Sequence, residues 1–214
     1  MGEQTVDAKA TLRRERAALC DTLERLGPDA PALCEGWTTA DLAAHLVVRE
    51  RNPAAGPGIL IETGPLAAYT AKAMAAEQAK GYDVMLARLR NGPPAFMVAT
   101  MAAVNVNENW VHHEDARRAN GETARPPDPD VEAILTRVTK RMAKLQTRRL
   151  KPLGLALDLP DELVIVRVGH PTATVSGRIG ECVLYLSGRR AAAEVELHGN
   201  PDAVDVLRTA TLGI

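Results

Sequence analysis

"ENWVHHEDARRANG", residues 108–121, closes the longest helical pattern in the chain and carries two adjacent histidines. The pattern predicts a helix from about Phe96 to Ala119, and Asn120-Gly121 is a typical pair for the end of a helix. Glu108 and His112 are four residues apart, so they share one face of this helix. An imidazole and a carboxylate at that spacing can bind one divalent cation, but they also occur on the solvated face of many helices.

His45 is the candidate for a third ligand. It lies in "DLAAHLVV", within a predicted helix that Thr38 opens and in which Asp41 stands as a capping acid. A lone histidine among alanines and leucines is most often a satisfied core residue. With Glu108 and His112 it would instead complete a His₂Glu set with an open fourth position, the pattern of a catalytic zinc site. The residues alone leave both interpretations open.

The other polar residues of the opening stretch are not assigned to the metal set. His113 lies about 100° around the helix from His112 and points elsewhere. Asp115 has the spacing to orient the His112 ring, but a solvated acid is the preferred interpretation. The arginines at 117–118 are interpreted as surface charge. Because no histidine follows Glu114 at the HExxH spacing, zincin-type proteolysis has no support.

The pattern of apolar and polar residues along the chain changes near residue 150. Before it, helical spacing recurs, interrupted by a Pro- and Gly-rich loop at residues 52–65. After it come the strand-like runs "LVIVRVG" and "TATVSG" with "HP" as the turn between them. "IGECVLYLSGRR" favours a helix, "AAAEVELHG" a strand and "NPDAVDVLRTA" a capped helix. The pattern predicts an α+β protein, with a mostly helical domain over 1–150 and a small α+β domain over 151–214.

Composition argues against several partners. The formal net charge of -1 gives no electrostatic support for non-specific binding to nucleic acid or anionic membranes. No apolar run approaches the ~20 residues that span a bilayer, and the charged first segment predicts a cytoplasmic protein.

The three cysteines, Cys20, Cys34 and Cys182, form no CxxC pair. We interpret them as small buried residues and not as ligands or nucleophiles.

Two segments taken together resemble a known family. "LCEGWTTADLAAHLVV" (33–48) and "ENWVHHEDARRA" (108–119) are similar to the W-T-x-x-D-L-x-x-H-L and E-x-x-x-H-H-x-D segments of the DinB-like metal-dependent bundles. The resemblance is to the branch that contains mycothiol-dependent maleylpyruvate isomerase. "VSGRIGECVLYLSGRR" and "VELHGNPDAVDVL" resemble the sterol-carrier-like unit of that branch. The implied fold is a four-helix bundle followed by that small α+β unit.

The resemblance also implies a site. His45, Glu108 and His112 would hold a divalent cation, usually zinc, and mycothiol would be the low-molecular-weight thiol co-substrate. An arginine of the C-terminal unit, matched to Arg189, would contact an acidic substrate or the thiol. Coordination would deprotonate the thiol near neutral pH, so the chain would need no catalytic cysteine.

Several functions remain open at this point. A bound thiolate that attacks a small, acidic electrophile would make the protein an S-transferase or a cis–trans isomerase, because both begin with the same step. Metal-assisted hydrolysis is a further enzymatic interpretation. A non-catalytic binding module for a metal or a small ligand is the alternative from another class. We expect a monomer or a homodimer.

Overall fold

The computed structural model of the protein describes residues 6–56, 58, 63–93, 95–150 and 152–213; for 95–100 and 148 it describes the backbone alone. The chain divides into two compact units, 1–130 and 131–214. The described residues combine helices with a small sheet, which confirms the predicted α+β class.

The first unit is built from helices. Their bounds are α1 Ala8–Leu26, α2 Thr39–Arg51, α3 Gly64–Gln78, α4 Tyr82–Arg90 and α5 Ala95–Ala119. The long α5 packs along α1, α4 contacts both α1 and α2, and α3 packs on α2. Helices α1, α2, α4 and α5 thus form the bundle that the sequence predicted.

Apolar residues spaced along these helices form the core of the bundle. They include Leu19 and Leu23 of α1, Leu42 and Leu46 of α2, Met85 and Leu89 of α4, and Ala116 of α5. Burying each of the larger side chains contributes about 1.5–3 kcal/mol relative to leaving it in water. This core holds α2 and α5 side by side, and these two helices carry the candidate ligands.

The start of α2 is fixed by a capping box. The Thr38 amide donates to Asp41 Oδ2 at 2.8 Å, and the Asp41 amide donates back to Thr38 Oγ1 at 3.4 Å. Such a cap stabilises a helix by about 1 kcal/mol. The predicted capping role of Asp41 is therefore confirmed. The cap fixes the first turn of α2, and His45 follows Asp41 by one turn.

The sequence predicted two interruptions that follow helices of the first unit, one after α5 and one after α2. Gly121, with φ 80°, follows the end of α5 as expected. The predicted loop at residues 52–65 contains a 3₁₀ turn at Pro53–Ala55, while Pro57 and residues 59–62 lie outside the described residues. In the described part of the chain, no helix combines the length and the apolarity that a membrane span requires.

The described residues of the second unit form a four-stranded sheet and several helices. The elements are α6 Pro129–Gln146, β1 Gly154–Asp158, β2 Leu163–Arg167, β3 Thr172–Ser176, α7 Ile179–Leu186, β4 Glu196–Gly199 and α8 Pro201–Thr209. The strand order is β2-β1-β3-β4; β1 pairs antiparallel with β2 and parallel with β3, and β3 pairs antiparallel with β4. The predicted helices at α7 and α8 and the strand at β4 are confirmed.

The two strands on either side of the predicted His170-Pro171 turn, β2 and β3, do not pair with each other. β1 lies between these two strands, and the sequence analysis did not recognise it as a strand. Gly154, Leu155 and Leu157 of β1 are buried, so "GLALD" lacks the alternation of apolar and polar residues that identifies a half-exposed strand. A short apolar run of this kind cannot be distinguished from a segment of buried helix by its pattern.

Helix α6 is grouped with the sheet and not with the bundle. Arg167 at the end of β2 donates from Nη2 to the carbonyls of Lys144 and Thr147, both at 3.0 Å. These bonds attach the last turn of α6 to the sheet. The compact units therefore divide near residue 130, whereas the predicted domains divide at 150. The domain boundary at 150 stays a prediction.

Candidate metal centre

Helices α2 and α5 bring together the side chains of His45, Glu108 and His112. Each offers one potential ligand atom, and these atoms all lie within 4.8 Å of one another. His112 Nε2 is 3.8 Å from Glu108 Oε2, and the His45 and His112 ring centroids are 4.9 Å apart with the rings nearly perpendicular. Both histidines are buried, while the Glu108 side chain is 26 % exposed. The set is therefore shielded on its histidine side and reachable beside Glu108.

The local sequence explains how the three side chains converge. Glu108 and His112 share one face of α5 because they are one turn apart. His45 extends from the second turn of α2, and its ring packs against Trp37, with ring centroids 5.4 Å apart. Because α2 and α5 are in contact, the early histidine meets the later pair. The interpretation of His45 as an isolated core histidine is not supported by this arrangement.

The residues fit a divalent cation of the zinc type. Zinc binds imidazole nitrogens at about 2.0–2.1 Å and carboxylate oxygens at about 2.0–2.2 Å, so tetrahedral ligand atoms are separated by about 3.4 Å. The Glu108–His112 pair is already near that separation at 3.8 Å. Two imidazoles and one carboxylate suit zinc better than calcium or magnesium, which prefer oxygen ligands. Three protein ligands also leave an open position, as catalytic zinc sites do.

Asp115 orients one of the candidate ligands. Its Oδ2 is 2.8 Å from His112 Nδ1, and the residue is fully buried. The preferred sequence interpretation, a solvated acid, was wrong, because that part of α5 faces the protein interior. A carboxylate only accepts hydrogen bonds, so Nδ1 donates and Nε2 keeps its lone pair for a cation. A carboxylate behind a histidine in this way also raises the basicity of the ligand.

A second group of potential ligands overlaps the first. Cys34, His112 and Asp115 also offer atoms within 4.8 Å of one another. Their atoms are already joined by hydrogen bonds: the Cys34 thiol donates to Asp115 Oδ2 at 3.4 Å, and that oxygen accepts from His112. A cation there would have to displace the His112–Asp115 bond. The set of His45, Glu108 and His112 requires no such loss and is the better site.

His113 lies on the other side of α5, as the sequence predicted. Its Nε2 is 2.9 Å from Thr22 Oγ1 and its Nδ1 is 3.0 Å from Glu15 Oε1, both on α1. Burial lowers the pKa of His113, and the hydrogen bond with Glu15 opposes that shift only in part. With both ring nitrogens occupied, His113 serves the packing of α5 on α1.

The arginines near the end of α5 are not surface charges, contrary to the prediction. Arg117, Arg118 and Arg125 bind the fully buried Glu114 at 3.1, 2.6 and 2.6 Å. Burial acts to raise the pKa of Glu114, but the hydrogen bond from Arg118 and the charge of Arg125 outweigh it, so the pKa is lowered. The sequence analysis missed this cluster because Arg125 follows the end of α5. No helical spacing therefore relates Arg125 to Glu114.

Arg49 borders the metal set and was also missed. Its Nη1 donates to Asn105 Oδ1 at 2.5 Å, and its Nε is 3.3 Å from Glu108 Oε2. The signal was present in the sequence, because Arg49 follows His45 by four residues and therefore shares its face of α2.

The remaining candidates are not members of this set. Arg189 belongs to the second unit, where its Nη1 donates to the Ser187 carbonyl at 2.6 Å. Its contact with a substrate stays a prediction. Burial raises the pKa of Cys20 to about 11 and that of Cys182 to about 12, so neither thiol is a nucleophile near neutral pH. The interpretation of these two as buried residues is confirmed, whereas Cys34 is only half-buried.

Comparison with solved structures identifies the fold. No protein-family model matches the sequence, and no curated protein matches it either. A crystal structure of the mycothiol-dependent maleylpyruvate isomerase matches with a TM-score of 0.62 and 20 % identity, covering 91 % of this chain and 93 % of that one. A histidine-to-alanine mutant of that isomerase matches with a TM-score of 0.59 and 19 % identity over 89 % and 92 % of the two chains. The chain therefore has the fold of the mycothiol-dependent maleylpyruvate isomerase, as the resemblance in its sequence predicted.

Proposed function

We propose that the protein is a metal-dependent enzyme that uses a small thiol as its nucleophile. His45, Glu108 and His112 hold one divalent cation, with zinc as the first choice, and mycothiol is the thiol. The observation that carries the proposal is the convergence of these three side chains from two distant helices. It occurs within the fold of an enzyme that is described as mycothiol-dependent.

The residues of the chain have distinct tasks in this proposal. A cation held by them would stabilise the thiolate form of an incoming thiol near neutral pH. Asp115 keeps His112 in the tautomer whose Nε2 lone pair is available. The buried histidines limit access by water from one side, and the partly exposed Glu108 marks the side on which small molecules enter. Arg189 would contact an acidic group of the substrate or of the thiol, as the resemblance implies.

Addition of the thiolate supports two outcomes. When it adds to a cis-enedioyl acid, the carbon–carbon double bond becomes a rotatable single bond, and elimination of the same thiolate then returns the trans isomer. When the enolate formed by the addition instead takes a proton from water and the adduct is released, the reaction is S-transfer. Both outcomes need a small electrophile beside the thiol, so we propose an isomerase or an S-transferase of this substrate class.

The first experiment measures metal content with a matched pair of variants. Elemental analysis of protein purified without chelators should find about one zinc per chain. His112→Ala should lose it, whereas His113→Ala should keep it, because the neighbouring histidine contacts Thr22 and Glu15 instead. His198→Ala, on the exposed strand β4, is a second control that leaves the bundle intact. Full zinc content in His112→Ala would rule out the ligand assignment.

The second experiment measures thiol chemistry. The zinc-loaded protein should conjugate mycothiol to a general electrophile such as a bromobimane, and His112→Ala should not. Zinc binding without any thiol-dependent reaction would instead indicate a non-catalytic binding module. Turnover of an ester without added thiol would indicate metal-assisted hydrolysis.

A further inference from the structure

Arg49 and the candidate ligands His45, Glu108 and His112 form one cluster of polar side chains between α2 and α5. On α2, His45 and Arg49 are one turn apart; on α5, Asn105, Glu108 and His112 follow one another at helical spacing. The guanidinium connects the two helices, since it contacts both Asn105 and Glu108. Its side chain is 14 % exposed, so it is held in place by the bundle and still reachable.

The contacts of Arg49 place a positive charge next to the carboxylate that would bind the cation. Nε approaches Glu108 Oε2, which is the same oxygen that lies 3.8 Å from His112 Nε2. The guanidinium therefore offsets the charge of Glu108. An anion that approached beside Glu108 would meet the arginine and, with the site loaded, the cation held by His45, Glu108 and His112. Asp115 lies behind His112, on the Nδ1 side of the ring.

Arg49 also retains hydrogen-bonding capacity. A guanidinium has five N–H donors in a planar fork that matches a carboxylate. Among the described residues, its contacts are made by Nη1 and Nε, and neither contact uses Nη2. Binding of one protein carboxylate and one amide therefore leaves donors for a second carboxylate.

We propose that Arg49 is the substrate-selecting residue of this site and binds the carboxylate of a small anionic electrophile next to the cation. The inference rests on the proposed function and narrows its substrate class to carboxylates. It assigns recognition of the acid to the helical bundle itself, in addition to the expected role of Arg189 in the second unit. A neutral electrophile of the same size would bind more weakly.

The test is calorimetric titration of zinc-loaded protein with maleate in buffer without thiol, and with maleamide as the uncharged analogue. In Arg49→Met, maleate affinity should fall by roughly 10- to 100-fold, the usual effect of losing hydrogen bonds between charged groups. Maleamide affinity and the zinc content of the variant should not change. Arg49→Lys keeps the charge without the fork and should lose maleate affinity by a smaller factor. Arg13→Met, on the exposed face of α1, is the control and should match the wild type.

Each contrary result has a separate meaning. Unchanged maleate affinity in Arg49→Met, or no binding of maleate to the zinc-loaded wild type, would overturn the inference and leave the zinc site intact. Equal weakening for maleate and maleamide would also overturn it, because selection by charge would then be absent. Loss of zinc from Arg49→Met would show that the arginine positions Glu108 and does not select substrate. Failure of the wild type to bind zinc would instead overturn the proposed function.

Discussion

His112 and His113 are neighbours on α5 and are both buried, yet different residues surround them. His113 faces α1, and both of its ring nitrogens lie within hydrogen-bonding distance of Thr22 and Glu15. His112 faces α2; its Nδ1 is held by Asp115, and its Nε2 lies among potential ligands instead of at a hydrogen-bond distance. Neither burial nor residue type therefore distinguishes a candidate metal ligand from a histidine that serves packing. The surroundings of the second ring nitrogen do.

The two sides of α5 also differ in how their charges are balanced. On the His113 side, Arg125 donates to Glu15 and Glu114, which places opposite charges in direct contact. On the His112 side, Glu108 pairs among the described residues only with Arg49, at 3.3 Å, and is partly exposed, and it does not contact His112 at hydrogen-bond distance. The first arrangement stabilises the packing of helices. The second leaves carboxylate and imidazole positions that a cation can join.

The largest effect, on the free energy of unfolding, is expected from removing the buried carboxylate of Glu114 on the His113 side of α5. Glu114→Ala would leave Arg117, Arg118 and Arg125 around an empty buried position, and removal of one partner from a buried ion cluster costs about 3–5 kcal/mol. Urea unfolding should detect the loss, while the zinc content stays the same. Glu24→Ala removes an exposed partner of Arg90 and should cost less than about 1 kcal/mol. Equal losses in the two variants would contradict the structural role of the buried cluster.

A smaller effect is expected on the other side, at Asp115. Asp115→Asn keeps the shape of the side chain but removes its charge, so zinc affinity should fall by about 10- to 100-fold, as for other carboxylates behind metal-binding histidines. Competition with a chromophoric chelator measures the affinity. Asp83→Asn, at an exposed position on α4, should bind zinc like the wild type. If Asp115→Asn also did so, the difference between the two histidines would not depend on Asp115.

The smallest effect concerns the reactivity of the cysteines at pH 8. Burial raises the pKa of Cys20 and Cys182 to about 11 and about 12, so almost no thiolate forms at this pH. Cys34 is half-buried on the His112 side, beside Asp115. Iodoacetamide should therefore label Cys34 first in the folded protein, as detected by peptide mass spectrometry, and Cys34→Ser should take up no early label. Labelling of Cys20 at the same rate would show that the bundle core opens readily.

Whether a sequence prediction was correct depends on how far apart in the chain the interacting residues are. The cap at Thr38 and the shared face of Glu108 and His112 depend on residues within one turn, so their spacing predicted them. The strand β1 was missed because it is buried by neighbours that are distant in the chain. Asp115 was interpreted wrongly for the same reason, since its spacing to His112 was correct but its burial depends on packing.

The sequence by itself determined the helices of the bundle, the cap at Thr38 and the face on which Glu108 and His112 lie, because helical periodicity and capping are local properties. It also carried the resemblance that predicted the fold. Only the tertiary structure decided that His45 and Arg49 meet that face, that Asp115 supports His112, and that His113 is enclosed by α1. These contacts join residues up to about a hundred positions apart, and burial in a packed bundle, which no local spacing encodes, selects them.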